Sequence, residues 1–202
     1  MDIIIVLGNA LWLLFPAMTS NSFAVWGGGG TPMDFGKSWR GKRIFGDGKT
    51  WRGFFFGILF GVFVGFAEMF LVDVGLFNYS PMYWGFGATY IDAAPLLIVL
   101  CSGALLGDAV KSFIKRRLGM ARGQRAPFFD WYDFFIGALL LSLIFYPSWA
   151  IDNLITNYHW MGLILLVIII PFFHMSFNWI GYRLGKKNVP LLRKLGKKDV
   201  PW

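Results

Sequence analysis

Three aspartates and several basic residues stand close together in the second half of the sequence. Asp108 is followed at spacings of three, four and seven residues by polar side chains that share one helical face with it. Those side chains belong to Lys111, Ser112 and Lys115. Asp130 and Asp133 are three residues apart and share a face at the start of another helix. Carboxylates surrounded by cations are typical of a site that holds Mg²⁺ together with phosphate oxygens. We therefore predict Asp108, Asp130 and Asp133 as metal ligands and, with Lys111, as catalytic residues.

A glycine-rich, basic segment between residues 27 and 52 is the second candidate for binding phosphate. Its glycines can expose backbone N–H groups to an anion, and its cations can pair with phosphate oxygens. Gly48-Lys49-Thr50 is not a Walker A motif, because Arg43 stands where that motif requires glycine. The residues predicted to bind nucleotide or phosphate, from this segment and from the region after residue 111, are Asp34, Lys37, Arg43, Asp47, Lys49, Arg52, Ser112, Lys115, Arg116 and Arg125.

These residues also have structural interpretations. Asp130 could cap a helix, Asp133 could complement a helix dipole, and Asp108 could pair with a neighbouring lysine. The basic segment could be a surface loop that touches anionic lipid. A dipole does not explain Asp108, so the whole constellation favours a metal and phosphate site.

The elements that must position these residues are membrane helices. Hydrophobic residues make up 56% of the 202 residues and charged residues only 15%, against about 25% in soluble domains. This composition excludes a disordered chain, a coiled coil and an ordinary soluble enzyme. The single cysteine, Cys101, excludes a disulfide framework and a thiolate metal cluster. We predict an all-α integral membrane protein, a bundle of five transmembrane helices at about 2–26, 53–77, 91–113, 130–149 and 159–182.

The basic residues predict the orientation of the bundle. All 19 lysines and arginines lie in the loop 27–52, in the segment from Lys111 through the loop 114–129, or in the tail 183–202. The positive-inside rule makes these segments cytoplasmic and places the N-terminus outside. No loop is long enough to bury its own core, so residues 1–202 form a single domain. We predict a multi-pass cell-membrane protein with its site at the cytoplasmic mouth of the bundle.

Glycines recur every four residues along the second span, at Gly53, Gly57, Gly61 and Gly65. This spacing predicts a helix face that a neighbouring backbone approaches closely, with the identity of the partner helix left open.

The two polar blocks resemble those of the CDP-archaeol synthases. The first block covers Pro16-Ala17, Asn21 and residues 31–37 and 46–53, and the second covers residues 107–117 and 122–133. The second block is also similar to the signature of phosphatidate cytidylyltransferases. The residues that match its Ser-x-x-Lys-Arg and Asp-Arg-x-Asp elements are Ser112, Lys115, Arg116, Asp130 and Asp133. In this chain Trp131 replaces the arginine of the second element, and Ala121-Arg122 replaces a Lys-Asp pair, which makes Asp108 or Asp47 more attractive as a third carboxylate.

The resemblance implies a Mg²⁺-dependent reaction of CTP with an unsaturated archaeal phosphatidate, 2,3-bis-O-geranylgeranylglyceryl phosphate. The products would be CDP-archaeol and pyrophosphate. The lipid chains would enter laterally between helices, and the glycine face of the second span is one candidate place. Membrane lipids would surround the protein, nucleic acid would not be a partner, and a homodimer stays open. The competing functions are a non-catalytic anion transporter and an anionic-lipid-binding membrane protein. A transporter needs a complete polar path, which the apolar outer half does not offer, and lipid binding explains the cations but not the aspartates.

Overall fold

The computed structural model describes residues 3–76, 85–120, 124 and 126–183, and these are mostly helical. The helices are α1 (Ile3–Trp26), α2 (Trp51–Asp73), α3 (Tyr90–Arg117), α4 (Pro127–Phe145), α5 (Pro147–Ala150) and α6 (His159–Arg183). A π-helical turn, Ile151–Ile155, follows α5 directly. Between α1 and α2, the short strands β1 (Ser38–Trp39) and β2 (Lys42–Arg43) pair in an antiparallel hairpin.

Within the described residues, α1, α2 and α3 are each long and apolar enough to cross a membrane. Residues 147–155 and the first part of α6 form a pair bent by 77°, which makes a fourth candidate if the pair is one span. These helices confirm the prediction of a helical membrane protein. The number of five spans and the orientation of the termini stay predictions.

The end of α4 differs from the predicted fourth span. The helix stops at Phe145, and residues 150–155, predicted as part of a loop, are helical. Pro147 is the physical reason, because it has no N–H to donate and its ring clashes with the carbonyl four residues earlier. Tyr146 adopts a non-helical backbone (φ −135°, ψ 56°) at the break, and Pro147 then starts α5.

The glycine face of α2 packs against α1 of the same chain. A Cβ placed on Gly53 would lie 2.8 Å from the Ala24 carbonyl oxygen, and one on Gly57 would lie 2.7 Å from that of Ser20. Further along α2, Gly65 is covered by Leu97 of α3. The prediction of close packing is confirmed, and the partner helices are α1 and α3 of the same chain. Because α1 and α3 cover this face, it is not open to a lipid chain.

Helices α3 and α4 cross through three glycines. A Cβ on Gly103 would lie 2.5 Å from the carbonyl oxygen of Gly137, and one on Gly107 would collide with the carbonyl oxygen of Asp133. This close approach sets the backbone of Asp133 against α3, one turn of helix from Lys111. The crossing therefore fixes how near the acidic residues of α4 come to the polar face of α3.

The apolar surface of the bundle is divided between a core and an outer face. Leu13 of α1 and Leu97 and Leu100 of α3 are completely buried. On α2, Phe55, Leu59 and Phe63 recur at intervals of four residues, and each is more than 60% exposed. A row of large exposed apolar side chains on one helix face is typical of contact with lipid.

Candidate active site

The segment between α1 and α2 is organised around the buried carboxylate of Asp34. It accepts hydrogen bonds from the backbone N–H groups of Gly36, Phe45 and Gly46 at 3.1, 3.0 and 2.9 Å. Arg43 donates to it from Nη2 at 2.7 Å and from Nε at 3.3 Å. Burial alone would raise the pKa of Asp34, but the bonds from Arg43 and the backbone outweigh it and hold the pKa well below its usual range. The buried Asp34 carboxylate thus holds Arg43 and three backbone N–H groups of the loop together.

Arg117, at the end of α3, anchors the β1–β2 hairpin to the helix bundle. Its guanidinium donates to the carbonyl oxygens of Lys42 and Arg43 at 2.9 and 2.7 Å, and also to that of Trp39. The Trp39 ring stacks on Phe113 of α3, with ring centroids 5.8 Å apart. Sequence reasoning missed this anchoring role, because a cation in a basic run gives no sign of which distant carbonyl groups it reaches.

The start of α2 brings Lys49 to α3. Thr50 is the N-cap of α2 and accepts a hydrogen bond from the N–H of Gly53. Just before it, the Lys49 carbonyl accepts from the Met33 N–H at 2.7 Å, which ties the two ends of the loop together. In this position the ammonium group of Lys49 forms an ion pair with the carboxylate of Asp108.

Lys111 is the centre of an ion cluster between α3 and α4. Its Nζ atom lies 2.8 Å from Asp108 Oδ1, 2.6 Å from Asp133 Oδ2 and 3.7 Å from Asp130 Oδ1. The Asp133 side chain is only 6% exposed and that of Lys111 17%. The three predicted carboxylates therefore converge, and the group between them in this structure is an ammonium.

Asp130 also pairs with Lys115 and stabilises the start of α4. Lys115 Nζ lies 2.9 and 3.2 Å from the two carboxylate oxygens of Asp130. The N–H of Ala126 donates to the same carboxylate at 2.8 Å. Asp130 is therefore not the N-cap of α4, which is Ala126, but it accepts a hydrogen bond from that residue's N–H and also belongs to the ion cluster.

A polar cleft of about 560 Å³ opens between the loop and the C-terminal half of α3. The predicted site residues that line it are Arg43, Asp47, Lys49, Asp108, Lys111, Ser112, Lys115, Arg116 and Asp130. Lys42, Phe45, Gly46, Gly48, Gly119 and Met120 also line it and were not among the predicted site residues. The volume is in the range of small-molecule sites, and cations dominate the charged lining. The cleft is thus suited to an anion of nucleotide size.

Five predicted site residues lie elsewhere or outside the described residues. One is Asp34, which is buried inside the loop and does not line the cleft. Arg52 donates to the carbonyl oxygens of Gly27 at 2.9 Å and of Gly28, so it joins the end of α1 to the start of α2. Lys37 is exposed on the loop. Asp133 lies behind Lys111 and lines a groove between α3 and α4, and Arg125 falls outside the described residues.

A second cleft of about 380 Å³ lies between the end of α1, the start of α2 and α3. It shares Asp47, Gly48, Lys49 and Asp108 with the first cleft. The ion pair of Lys49 and Asp108 therefore stands where the two clefts adjoin.

The donor groups are compatible with Mg²⁺ only when a ligand contributes oxygens. Among the described residues, no three His, Cys, Asp or Glu side chains are arranged to hold a metal ion by themselves. Asp108 and Asp130 nevertheless present carboxylates to the first cleft. Mg²⁺ commonly binds one or two carboxylates together with phosphate oxygens and water. The residues thus fit a metal that arrives with a polyphosphate.

Replacing Asp34 with asparagine is expected to loosen the loop. The substitution removes the carboxylate that pairs with Arg43, a charge-assisted bond worth about 1.5–3 kcal/mol. Trypsin cleavage at the exposed Lys37 should then become at least about tenfold faster. Since the pKa of Asp34 is lowered in the folded loop, its contribution in the wild type is present above about pH 4 and is lost as the pH falls below that.

Asp47→Asn is the matched control for this experiment. Asp47 also pairs with Arg43, at 2.7 Å, but its side chain is 64% exposed, and exposed ion pairs contribute little. Equal protease sensitivity of the two variants would contradict the organising role of Asp34.

The fold is a bundle of apolar helices with a cleft at one end that is lined mostly by cations. A solved structure of an intramembrane enzyme for archaeal membrane lipid biosynthesis is 31% identical to this chain, with a TM-score of 0.57 over 84% of this chain and 92% of that one. The family model for CarS-like CDP-archaeol synthases matches residues 1–191. The chain belongs to the CDP-archaeol synthase family.

Curated relatives agree with this assignment over nearly their whole length. The CDP-archaeol synthase of Methanosarcina mazei is 41% identical over 179 residues, which is 88% of this chain and 99% of the relative. That of Pyrococcus horikoshii is 42% identical over 183 residues, 90% of this chain and 95% of the relative. The predicted family and the prediction of a cytidylyltransferase are therefore confirmed. The protein is a multi-pass membrane enzyme of archaeal lipid synthesis.

Proposed function

We propose that this protein transfers the CMP group of CTP to 2,3-bis-O-geranylgeranylglyceryl phosphate, with release of pyrophosphate and formation of CDP-archaeol. The observation that carries the proposal is the ion cluster around Lys111 at the wall of the polar cleft. The lipid phosphate is already an anionic nucleophile, so the reaction needs no strong protein base. It needs relief of the repulsion between two anions, and a fixed geometry for attack.

The first cleft is the proposed site for CTP. Lys115 and Arg116 on α3 and Arg43 and Lys49 on the loop supply cations on two sides of it. Such a distribution can hold a triphosphate from opposite directions, and the hairpin anchored by Arg117 keeps the loop cations in place. Lys111 is placed to stabilise negative charge that develops during transfer.

The proposed cofactor is Mg²⁺, held by Asp108 and Asp130 together with phosphate oxygens of the nucleotide. When bound there, it would neutralise the charge on the leaving pyrophosphate. Asp133, predicted as a third ligand, lies behind Lys111 and does not line the cleft. In the structure Asp108, Asp130 and Asp133 form ion pairs with Lys49, Lys111 and Lys115. The paired arrangement keeps the acidic residues close together without mutual repulsion, so they are in place before the nucleotide arrives.

The proposal includes the finer membrane arrangement. The bundle would have five spans, an outside N-terminus, a cytoplasmic C-terminus and a cytoplasmic active site, as the distribution of the basic residues indicates. CTP would then enter from the cytoplasm and the lipid phosphate from the inner leaflet. A homodimer is not required, since one chain supplies both walls of the cleft.

The test is incorporation of radiolabelled CTP into chloroform-soluble material by purified protein in lipid vesicles. We expect label in the lipid phase only when the lipid phosphate is present, and we expect EDTA to abolish it, with recovery on addition of excess Mg²⁺. CTP labelled at its α-phosphate should pass the label to the lipid, and CTP labelled at its γ-phosphate should not. This result identifies transfer of CMP with loss of pyrophosphate.

The same assay separates the competing functions. An anion transporter would accumulate label inside sealed vesicles as unchanged CTP, and a lipid-binding protein would leave the label in the aqueous phase. Either result with a folded protein would contradict the proposal. Incorporation of label that EDTA does not affect would contradict the proposed role of Mg²⁺ but not the proposed transfer of CMP.

A further inference from the structure

An apolar groove of about 490 Å³ runs along the seam between α3 and α4. Its walls include Val110 on α3 and Ile136 and Leu140 on α4, which are 55%, 50% and 53% exposed. Gly107 and Gly137, where the two helices cross, lie between these walls and contribute no side chain. The glycines that allow the helices to approach thus also leave the space that the groove occupies.

Two members of the ion cluster line this groove near one end, and only Ile114 and Phe129 line it one helical turn further on. Lys111 and Asp133, which pair at 2.6 Å, are both lining residues of the groove. Lys111 also lines the polar cleft proposed for CTP. A single residue, Lys111, therefore borders both the polar cleft and the apolar groove.

The rest of the groove offers almost no polar groups. The hydroxyl of Tyr132, which is a lining residue, donates to the Val167 carbonyl of α6 at 2.9 Å. Along α3 the lining extends eight residues from Lys111 to Gly103, which is about 12 Å of helix. The groove therefore leads from the ion cluster along the helices into the apolar part of the bundle.

We propose that this groove receives one hydrocarbon chain of the lipid phosphate and so positions the phosphate beside Lys111. The inference rests on the proposed function, in which one substrate is an amphiphile with an anionic head. A molecule with an anionic head and an extended apolar body matches a groove that has apolar walls and Lys111 near one end. A chain lying in it would bury apolar surface against Val110, Ile136 and Leu140.

The assignment makes Leu140 a determinant of chain recognition rather than of chemistry. It lies seven residues beyond Asp133 on α4, about 10 Å further along the helix. A long prenyl chain would pass Leu140, whereas a chain of a single isoprene unit would end before reaching it. Obstruction at this position should therefore affect long chains and spare short ones.

The experiment compares Leu140→Trp with wild type, using lipid phosphates that carry geranylgeranyl chains or single-isoprene chains. We expect the KM for the geranylgeranyl substrate to rise about tenfold, as an overpacking cost of this size implies. The KM values for the short-chain substrate and for CTP should not change. Leu106→Trp, on the α3 wall of the groove, should give the same pattern and guards against misfolding of one variant.

Ile144→Trp is the matched control. Ile144 is on the same helix, is 67% exposed and is not among the lining residues of the groove. We expect both of its lipid KM values to equal those of wild type. Equal effects of Leu140→Trp and Ile144→Trp, or equal effects of Leu140→Trp on long and short chains, would overturn the assignment.

Two further outcomes are informative. If Leu140→Trp converts a dimer into a monomer without a chain-length effect, a second copy of the chain occupies the groove and the inference is wrong. If wild type transfers no CMP to any lipid phosphate, the proposed function fails and the inference fails with it. If wild type turns over normally but Leu140→Trp affects long and short lipid chains equally, the proposed function stands and only the assignment of the groove is overturned.

Discussion

Replacement of Lys111 with methionine is expected to lower turnover by about 10³-fold, the loss typical of removing a group that stabilises developing charge. Lys111 lies within 2.8 Å of both Asp108 and Asp133 and 3.7 Å from Asp130. Methionine keeps most of the side-chain volume but removes the ammonium that holds these carboxylates together. The measurement is kcat for transfer from CTP under saturating lipid phosphate.

The same variant should be less stable, and this effect must be separated from the loss of activity. Removing one partner of a buried ion cluster costs about 3 kcal/mol, because the remaining charges stay desolvated. Thermal unfolding of the detergent-solubilised protein measures this loss. Assays well below the lowered Tm then report on the chemistry alone.

Arg40→Gln is the control for the removal of one positive charge. Arg40 lies on the exposed loop beside the ring of Trp39 and is not a lining residue of the cleft. We expect its kcat and Tm to be close to those of wild type. Near-normal turnover of Lys111→Met would contradict the central role given to the ion cluster.

Gly107→Ala is expected to have the second largest effect, although glycine carries no functional group. An added methyl group would collide with the carbonyl oxygen of Asp133 and lie within 3.2 Å of the Gly137 Cα. Two helices packed backbone to backbone have no flexible side chain that can move aside, so α4 must shift away from α3. We expect turnover to fall about 100-fold, since small misplacements of reacting groups cost this much.

The diagnostic feature of Gly107→Ala is that it changes distances rather than charges. The ion pair between Lys111 and Asp133 would lengthen, while Lys49 and Asp108, which depend on the loop and α3 alone, would stay paired. Ile98→Ala on the exposed side of α3, where Ile98 is 45% exposed, is the control for altered volume on the same helix. Wild-type activity in Gly107→Ala would show that the crossing does not control the site.

Local patterns in the sequence predicted much of the architecture. Helices α1, α2, α3 and α6 begin and end within a few residues of the predicted spans, because long apolar runs are recognisable one segment at a time. The break at Tyr146 was missed, although Pro147 marks it. Apolar residues on both sides of a proline indicate that the segment lies in the membrane, but they do not indicate that its helix continues through the proline.

The candidate site was predicted less evenly. Helical spacing placed Asp108, Lys111 and Lys115 on one face, and the structure brings that face to the cleft. The sequence did not distinguish cations that face the cleft from cations that bind backbone carbonyl groups and hold the fold together. Arg52 and Arg117 are of the second kind. Both kinds occur in basic, glycine-rich surroundings, and only their distant partners separate them.

The sequence by itself determined the class of membrane protein, the family, and the segments from which the polar site is built. These properties follow from hydropathy, charge and motif spacing, which neighbouring residues specify. Only the tertiary structure decided that Lys111 lies among three carboxylates and that Asp34 is buried inside its own loop. It also decided that the apolar groove between α3 and α4 adjoins the polar cleft at Lys111. Those relationships depend on how closely Gly107 lets α4 approach α3 and on bonds that join residues far apart in the chain.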